Sequence, residues 1–296
     1  MKKESEVLCI GEMLWDNMPN GSIPGGEPMN VAINLSNLVV CAYLISRVGA
    51  DNAGELLLDF LKEKKLSKDY VQTDQDLPTR QVLVHLDQDN EPHYEICHPV
   101  VWNSIMANEH SLNIPNQADL VVVGSLASKS MLSQQSILKF LQSGKTRIMD
   151  VNLKPPYCNR EIIEPMLKYI DIVKMSADKL RQILSWDSIP EVMGIKSMIL
   201  LFEIRYDIHT ICITKGKDGA VLYENGRFIQ HPGFNIEEIE PAGAGDAFLS
   251  GFIFGILHRY NPEEKITFAC AAGAYVASQK GATPEFSYSD ILAIMN

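Results

Sequence analysis

The sequence has no long hydrophobic run, no excess of basic residues and no closely spaced pair of cysteines. Its longest apolar run, 247–257, has 11 residues, which is too short to span a bilayer. Its 37 acidic residues outnumber its 26 basic ones, and the formal net charge of −11 argues against a nucleic-acid partner. Its six cysteines form no C-x-x-C pair, which favours free thiols in a reducing compartment.

The amino-terminal segment also lacks the features of a targeting signal. Two lysines precede an apolar stretch, 7–11, of only five residues, which is too short for the core of a signal peptide. We therefore expect a cytoplasmic protein with no membrane and no nucleic-acid partner.

Several familiar ligand-binding patterns are missing as well. No G-x-G-x-x-G follows the first predicted strand, since Gly11 is succeeded by Glu12 and Met13. Residues 144–146 match only the tail of a phosphate-binding P-loop, and a predicted strand follows them instead of a helix. The histidines have no metal-ligand spacing, so neither a dinucleotide fingerprint nor a histidine metal site is supported.

What the sequence does contain is an alternation of two kinds of segment. Short runs rich in branched apolar residues predict buried strands at 7–10, 120–123, 147–151, 172–175 and 210–214. Longer amphipathic stretches predict helices at 28–40, 53–64, 129–142 and 160–169. This alternation predicts an α/β fold, in which helices cover both faces of a mainly parallel central sheet. The chain has 296 residues and no break in composition, so we expect one domain over 1–296.

One region departs from this alternation and predicts a smaller sheet. Residues 81–96 alternate as two strands around a polar turn, and the stretch 15–26 is rich in Pro and Gly. We expect the segments at about 12–27 and 79–105 to form a small β-sheet lid. A further hairpin is predicted around Asn225-Gly226, a strong turn dipeptide.

The stretch PAGAGDAFLSGF carries the first candidate site. Gly243, Ala244 and Gly245 precede a predicted helix, whose first N–H groups can bind an anion. Asp246 beside them can accept a proton from an attacking hydroxyl while the amides stabilise a transferred phosphoryl group. The alternative is that Asp246 only caps a buried helix.

A second glycine pair also precedes a predicted helix. Gly25 and Gly26 allow a close approach of the backbone to a small polar ligand, and Asn30 offers a donor and an acceptor to sugar hydroxyls. Asp16, next to Trp15, is suited to vicinal hydroxyls. Taken alone, the glycine pair favours a simple tight loop, and Asp16 is equally consistent with a solvated surface residue.

The combination of these two stretches resembles the ribokinase-like (PfkB-type) family of carbohydrate kinases, and within it the bacterial fructokinases. The resemblance runs from about residue 7 to residue 284. Further matching stretches are 44–49, 78–79, 94–96, Asp150-Val-Asn152-Leu, Thr214-Lys-Gly216 and Gly281-Ala-Thr-Pro284.

The resemblance implies a Rossmann-like fold with a β-lid and an ATP-dependent, magnesium-assisted transfer to a sugar hydroxyl. It assigns the following roles. Asp246 is the general base in an anion loop that begins with Gly243, Ala244 and Gly245, and the amides of Ala244 to Asp246 form the anion hole. The sugar is held by Asp16, Gly25, Gly26, Asn30 and Lys154. The nucleotide is held by Thr214, Gly216, Gly245 and Gly281, and the candidate metal ligands are Asp150, Asn152 and Asp178.

Three departures from the family pattern bear on this assignment. The usual N-x-x-E motif, whose Glu helps to organise magnesium, reads Ser176 to Lys179, so that Lys179 either replaces some of the metal's charge or displaces the metal. Glu240-Pro241 stands where Asp-Thr is usual, which puts a monovalent-cation site in doubt. Lys154 replaces an Arg and loses its bidentate geometry.

We expect an ATP-dependent fructokinase that phosphorylates a primary hydroxyl of fructose or a similar ketose. Two alternatives stay open: the same chemistry on another sugar, a ketoacid sugar or a nucleoside, and a sugar- or nucleotide-binding protein that has lost catalysis. A homodimer formed through the lid is also expected, since the hairpin at 81–96 offers a sheet edge.

Overall fold

The computed structural model describes residues 5–18, 21–79, 81–86, 92–96, 99–113, 118–142, 145–153, 159–187 and 193–296. In these parts of the chain no helix combines the length and the apolar character needed to cross a membrane. The four cysteines described, Cys9, Cys41, Cys212 and Cys270, are free thiols.

A nine-stranded sheet forms the centre of the molecule. In spatial order its strands are β13 (Arg227–His231), β12 (Ala220–Glu224), β11 (Thr210–Thr214), β10 (Ile172–Ser176), β9 (Thr146–Asp150), β8 (Leu120–Gly124), β1 (Glu6–Ile10), β4 (Cys41–Gly49) and β5 (Val71–Asp74). Neighbours from β11 to β5 pair in parallel, and β12 pairs antiparallel with both β11 and β13. The predicted mainly parallel sheet is confirmed.

Helices cover both faces of this sheet because its central strands are apolar on both sides. Along β1, Leu8 and Ile10 belong to one buried cluster, whereas Val7 and Cys9 belong to the other. The helices are α1 (Glu27–Asn37), α2 (Asn52–Glu63), α3 (Glu109–Leu112), α4 (Met131–Leu141), α5 (Arg160–Leu167), α6 (Ala177–Ser185), α7 (Ile195–Tyr206), α8 (Ala244–Leu257), α9 (Pro262–Ala277) and α10 (Tyr288–Met295).

A second sheet of four strands lies within the two segments predicted to form the lid. Its order is β3 (Gly21–Gly25), β2 (Leu14–Met18), β6 (Gln81–Leu86) and β7 (Pro92–Ile96). The predicted hairpin is the antiparallel pair of β6 and β7, and β2 joins it by pairing in parallel with β6. β7 lies at an edge of this sheet, and dimerisation through that edge stays a prediction.

The predicted hairpin at Asn225-Gly226 is confirmed. Glu224 pairs with Arg227, and the two residues between them have positive φ angles of 48° and 83°. These angles are what a two-residue hairpin turn requires, and Asn and Gly adopt them at least cost.

Predicted helix ends lie within three residues of the observed ones. The helix predicted to reach residue 40 ends at Asn37, because Val39 adopts a left-handed φ of 59° and turns the chain towards β4. The helix predicted from 129 begins at Met131, since the Ser130 side chain accepts a hydrogen bond from the Ser133 amide and caps it.

The helix pair α8 and α9 supports the carboxyl-terminal half of the molecule, and a capping box fixes the start of α9. The Asn261 side chain accepts from the Glu264 amide, and Glu264 accepts in return from the Asn261 amide, each at 2.9 Å. This arrangement satisfies two amides that would otherwise lack partners.

We predict that Asn261→Ala lowers the free energy of unfolding by about 1 kcal/mol, because the cap acceptor is lost. Asn261→Asp keeps an oxygen at the same place and is expected to have little effect. Urea denaturation of both variants measures the difference. Equal stability of the two variants would contradict this role of the cap.

Candidate active site

The glycine stretch before α8 forms a tight turn that fixes the start of the helix. Gly243 has a left-handed φ of 76°, and a Cβ on it would lie 2.2 Å from the carbonyl oxygen of Ala282. No side chain caps α8. The backbone at Gly243 therefore packs directly against residue 282, which explains why a glycine stands there.

The amides at this helix start are partly satisfied within the protein. The Ala244 amide donates to the Pro241 carbonyl at 3.2 Å, and the Asp246 amide donates to the Gly243 carbonyl at 3.1 Å. Within the described part of the chain, the Gly245 amide donates to no acceptor. The anion loop expected from three open amides is thus reduced to one, because the first turn closes on its own carbonyls.

Asp246 lies at the base of this loop and is 7% exposed. Its Oδ2 accepts a hydrogen bond of 2.8 Å from the Asn30 side chain, which joins α8 to the start of α1. Burial raises its pKa to about 6, and Asp150 adds to the rise, while Lys174, Asn30 and Lys179 oppose it. A carboxylate with that pKa can take up and release a proton near neutral pH.

Two of the residues predicted to hold the sugar, Gly25 and Gly26, directly precede the helix that carries Asn30, and the Asn30 amide donates to the Gly26 carbonyl. Gly26 has a φ of 122°, and a Cβ on it would lie 2.3 Å from the Glu12 carbonyl oxygen. A Cβ on Gly25 would lie 2.2 Å from Asp16 Oδ2, so this carboxylate lies against the glycine backbone. Asn30 is 5% exposed, and its Oδ1 has no hydrogen-bond partner among the described residues. That oxygen is suited to accept from a ligand hydroxyl.

Lys174 is a component of the site that the sequence interpretation missed. It lies in β10 between apolar neighbours, and its Nζ contacts Asp150 Oδ2 at 2.7 Å. Burial works to lower its pKa, but the negative charges of Asp150, Asp246 and Glu27 prevail and raise it to about 12. A Cβ on Gly245 would lie 3.1 Å from this ammonium. A fixed positive charge therefore lies beneath the anion loop.

A cluster of carboxylates surrounds this ammonium. Glu27, Asp150 and Asp246 each offer an oxygen within 4.8 Å of the other two. Asp150 is 1% exposed, and its Oδ1 has no hydrogen-bond partner among the described residues. An oxygen donor set of this kind fits a hard divalent cation such as Mg²⁺ or Ca²⁺.

Of the two other predicted metal ligands, Asp178 lies apart from this cluster, and Asn152 is held by its backbone. The Asp178 side chain is 91% exposed and pairs with Arg181 on the surface of α6. Asn152 is buried, and its backbone amide and carbonyl both bond to the Ser125 hydroxyl. Lys154, predicted to contact the sugar, lies outside the described residues.

A cavity of about 840 Å³ begins at the anion loop and extends along α9. Of the predicted nucleotide residues, Thr214, Gly216 and Gly245 line it, whereas Gly281 does not. Most of its other walls were not predicted and are apolar or backbone, among them Phe234, Phe248, Cys270, Gly273 and Ala274. A cavity with apolar walls and a polar end at a helix start suits a ligand that combines a flat ring with an anion.

Two residues that depart from the family pattern, Ser176 and Glu240, lie near the cavity or the anion loop. Ser176 lines the cavity and caps α6 by accepting from the Lys179 amide at 3.4 Å. Glu240 Oε2 accepts from the Gly281 amide at 2.9 Å, so its carboxylate fastens the segment before the anion loop to the loop at 281. The carboxylate that replaces the usual Asp is thus already engaged by a protein donor.

The chain belongs to the pfkB family of carbohydrate kinases, whose model matches residues 17–287. It is 27% identical to a sugar kinase of Pyrococcus horikoshii, over 85% of this chain and 82% of the relative. It is 26% identical to an ATP-dependent 6-phosphofructokinase of Thermoanaerobacterium thermosaccharolyticum, over 99% and 94% of the two chains. It is 25% identical to a fructokinase of Klebsiella pneumoniae, over 97% and 98%.

Solved structures show the same ribokinase-like fold. A fructokinase of Xylella fastidiosa with bound ATP superposes with a TM-score of 0.85 and 19% identity, over 99% of this chain and 98% of the other. A fructokinase of Vibrio cholerae with fructose, ADP and calcium ion bound has a TM-score of 0.83 and 20% identity, over 99% of both chains. The predicted family and fold are confirmed.

We predict that Gly243→Ala lowers the free energy of unfolding by at least about 2 kcal/mol, since a methyl group adds a clash with Ala282 to the cost of positive φ. The matched control is Gly226→Ala, whose φ is 83° and whose Cβ would meet no heavy atom within 4 Å. It is expected to lose only about 1–2 kcal/mol. Urea unfolding compares the two, and a smaller loss at position 243 than at 226 would contradict the close packing.

Proposed function

We propose that this carbohydrate kinase transfers the γ-phosphoryl group of ATP to a primary hydroxyl of fructose or a similar ketose. The observation that supports this most is the position of Asp246. Its neighbour Gly245 lines the cavity, and its own carboxylate touches Asn30, which lies beside the glycine pair. A proton acceptor therefore stands between a place for a nucleotide and a place for an alcohol.

In the proposed reaction Asp246 accepts the proton of the attacking hydroxyl. The sugar oxygen then forms a bond to the terminal phosphorus of ATP, and the bond from that phosphorus to the bridging oxygen of ADP breaks. The hydrogen bond from Asn30 orients the Asp246 carboxylate, and the positive charge of Lys174 stabilises its ionised form. The Gly245 amide and Lys174 stabilise negative charge that develops on the phosphoryl group.

The ATP phosphates also call for a divalent cation, which neutralises part of their charge when bound. Asp150 is the residue that would hold it on the protein side, because its Oδ1 has no hydrogen-bond partner among the described residues and an oxygen ligand suits Mg²⁺, while Asp246 stays free to accept the proton. At the position where the family pattern suggests a monovalent cation, the Glu240 carboxylate already accepts from the Gly281 amide.

The choice of fructose as acceptor rests on relatives at about a quarter identity, one of which is named a 6-phosphofructokinase. We therefore predict that ADP release in a coupled assay with Mg²⁺ is fastest with fructose in a panel that also holds fructose 6-phosphate, ketoacid sugars and nucleosides. A higher kcat/KM for another acceptor would revise the substrate. Absence of ADP release with every acceptor in the panel would favour a binding protein that has lost catalysis.

The Asp246→Asn variant tests the role of the carboxylate in the same assay. We expect kcat to fall by about 10²- to 10⁴-fold, because a positioned general base contributes that much, with sugar binding by calorimetry nearly unchanged. The thermal midpoint at pH 8 should not fall, since the ionised carboxylate is disfavoured by burial and Asn removes that charge. Near-normal turnover would remove Asp246 from the mechanism.

The raised pKa of Asp246 also predicts a pH dependence. The carboxylate must be ionised to accept a proton, so kcat/KM should be constant above pH 7 and decline as the pH falls through about 6. Initial rates in overlapping buffers measure this limb. A profile that stays flat down to pH 4.5 would show that the reacting group has an ordinary aspartate pKa or is another residue.

A further inference from the structure

Glu27 has no part in the proposed transfer reaction, although its side chain belongs to the carboxylate cluster. It is the first residue of α1, directly after Gly26, where the helix dipole favours a carboxylate. One of its oxygens lies within 4.8 Å of oxygens of both Asp150 and Asp246. Glu27 therefore adds a third carboxylate to the two that lie beside Lys174.

Two oxygens of this cluster are buried without a hydrogen-bond partner in the described part of the chain. They are Asp150 Oδ1 and Glu27 Oε2. Lys174 occupies only the other oxygen of Asp150, at 2.7 Å, and Asn30 occupies only Oδ2 of Asp246. A buried carboxylate oxygen without a donor is costly, so these two atoms indicate a ligand that would contact both.

The charges of the cluster favour a cation over a neutral ligand. Three carboxylates face one buried ammonium, and the partly exposed Lys179 is the other positive charge that acts on Glu27. Burial, followed by the charge of Asp150, raises the pKa of Glu27 well above its usual range, with Asp246 and Glu12 adding to the rise. The ionised carboxylates thus repel one another, and a divalent cation among them would relieve that repulsion.

The spacing of the oxygens suits a divalent ion. Oxygens on opposite sides of a Ca²⁺ ion lie about 5 Å apart, and Mg²⁺ brings them to about 4 Å. Oxygens of the three carboxylates lie within 4.8 Å of one another, which is inside the span that Ca²⁺ bridges. A hard divalent cation can therefore bind Glu27 and Asp150 next to Asp246.

We propose that Glu27 and Asp150, with Asp246 beside them, form a divalent-cation site that is filled before any nucleotide binds. In this site Glu27 supplies the carboxylate that the family pattern places at position 179, where this chain has a lysine. The cation's part in phosphoryl transfer rests on the proposed kinase function, whereas its binding to the free protein does not.

The test is a titration of the full chain with Mn²⁺, with neither nucleotide nor sugar present, in which electron paramagnetic resonance measures free Mn²⁺. We expect one Mn²⁺ per wild-type chain and at least tenfold weaker binding in Glu27→Gln, which matches the protonated glutamate in shape. The control is Glu55→Gln, since Glu55 is an exposed acid in the first turn of α2. This control should bind Mn²⁺ like the wild type. In both proteins Mg²⁺ should displace the bound Mn²⁺.

Three results would overturn the proposal: no Mn²⁺ binding by the wild type, equal affinity in the wild type and Glu27→Gln, or equal weakening in Glu55→Gln. The wild-type titration needs no variant, so its result counts even if Glu27→Gln folds poorly. Thermal melting followed by circular dichroism shows whether Glu27→Gln is folded. Failure of the kinase assignment is recognised separately. It would leave Mn²⁺ binding intact while no acceptor in the panel released ADP.

Discussion

The ion pair between Lys174 and Asp150 is the interaction on which the rest of the catalytic centre depends. A carboxylate buried as deeply as Asp150 needs a positive charge beside it to offset its lost hydration. Lys174 provides that charge at 2.7 Å from within the central sheet, and its field also reaches Asp246 and Glu27. The same ammonium lies beneath Gly245, so it supports an anion above the loop as well as the carboxylates around it.

This arrangement explains how an acidic protein can bind a nucleotide. With a formal net charge of −11, the surface as a whole repels phosphate, and attraction has to come from a few groups held at one place. The start of α8 offers one open amide, at Gly245, and the buried lysine adds a full charge next to it. A divalent cation bound at Glu27 and Asp150 would neutralise further charge of a triphosphate.

Local sequence was enough to predict the fold and the two glycine-containing stretches of the site. The strands and helices could be predicted because their apolar pattern involves residues close together in the chain. The glycines at 26 and 243 could be predicted because the backbone at each has a positive φ angle. Lys174 and Glu27 could not be assigned in this way. Each lies within a segment already explained, one as a buried strand and the other as a helix start, and only the tertiary fold brings their charges together.

The walls of the cavity were missed for the same reason. Phe234 and Cys270 lie far apart along the chain and have no pattern that marks them as neighbours. One signal was available for Lys174: a charged residue in an apolar strand must have a buried partner, and the neighbouring strand β9 ends in an aspartate, Asp150. Paired charges on adjacent parallel strands are therefore a useful sign of a site at their carboxyl ends.

A crystal structure with fructose and a non-hydrolysable ATP analogue tests the central claim most directly. We expect the terminal phosphate within hydrogen-bond distance of the Gly245 amide, above Lys174, with a primary hydroxyl of the sugar within about 3 Å of the Asp246 carboxylate. A terminal phosphate bound away from the start of α8, or a sugar whose hydroxyls all lie beyond reach of Asp246, would contradict the account.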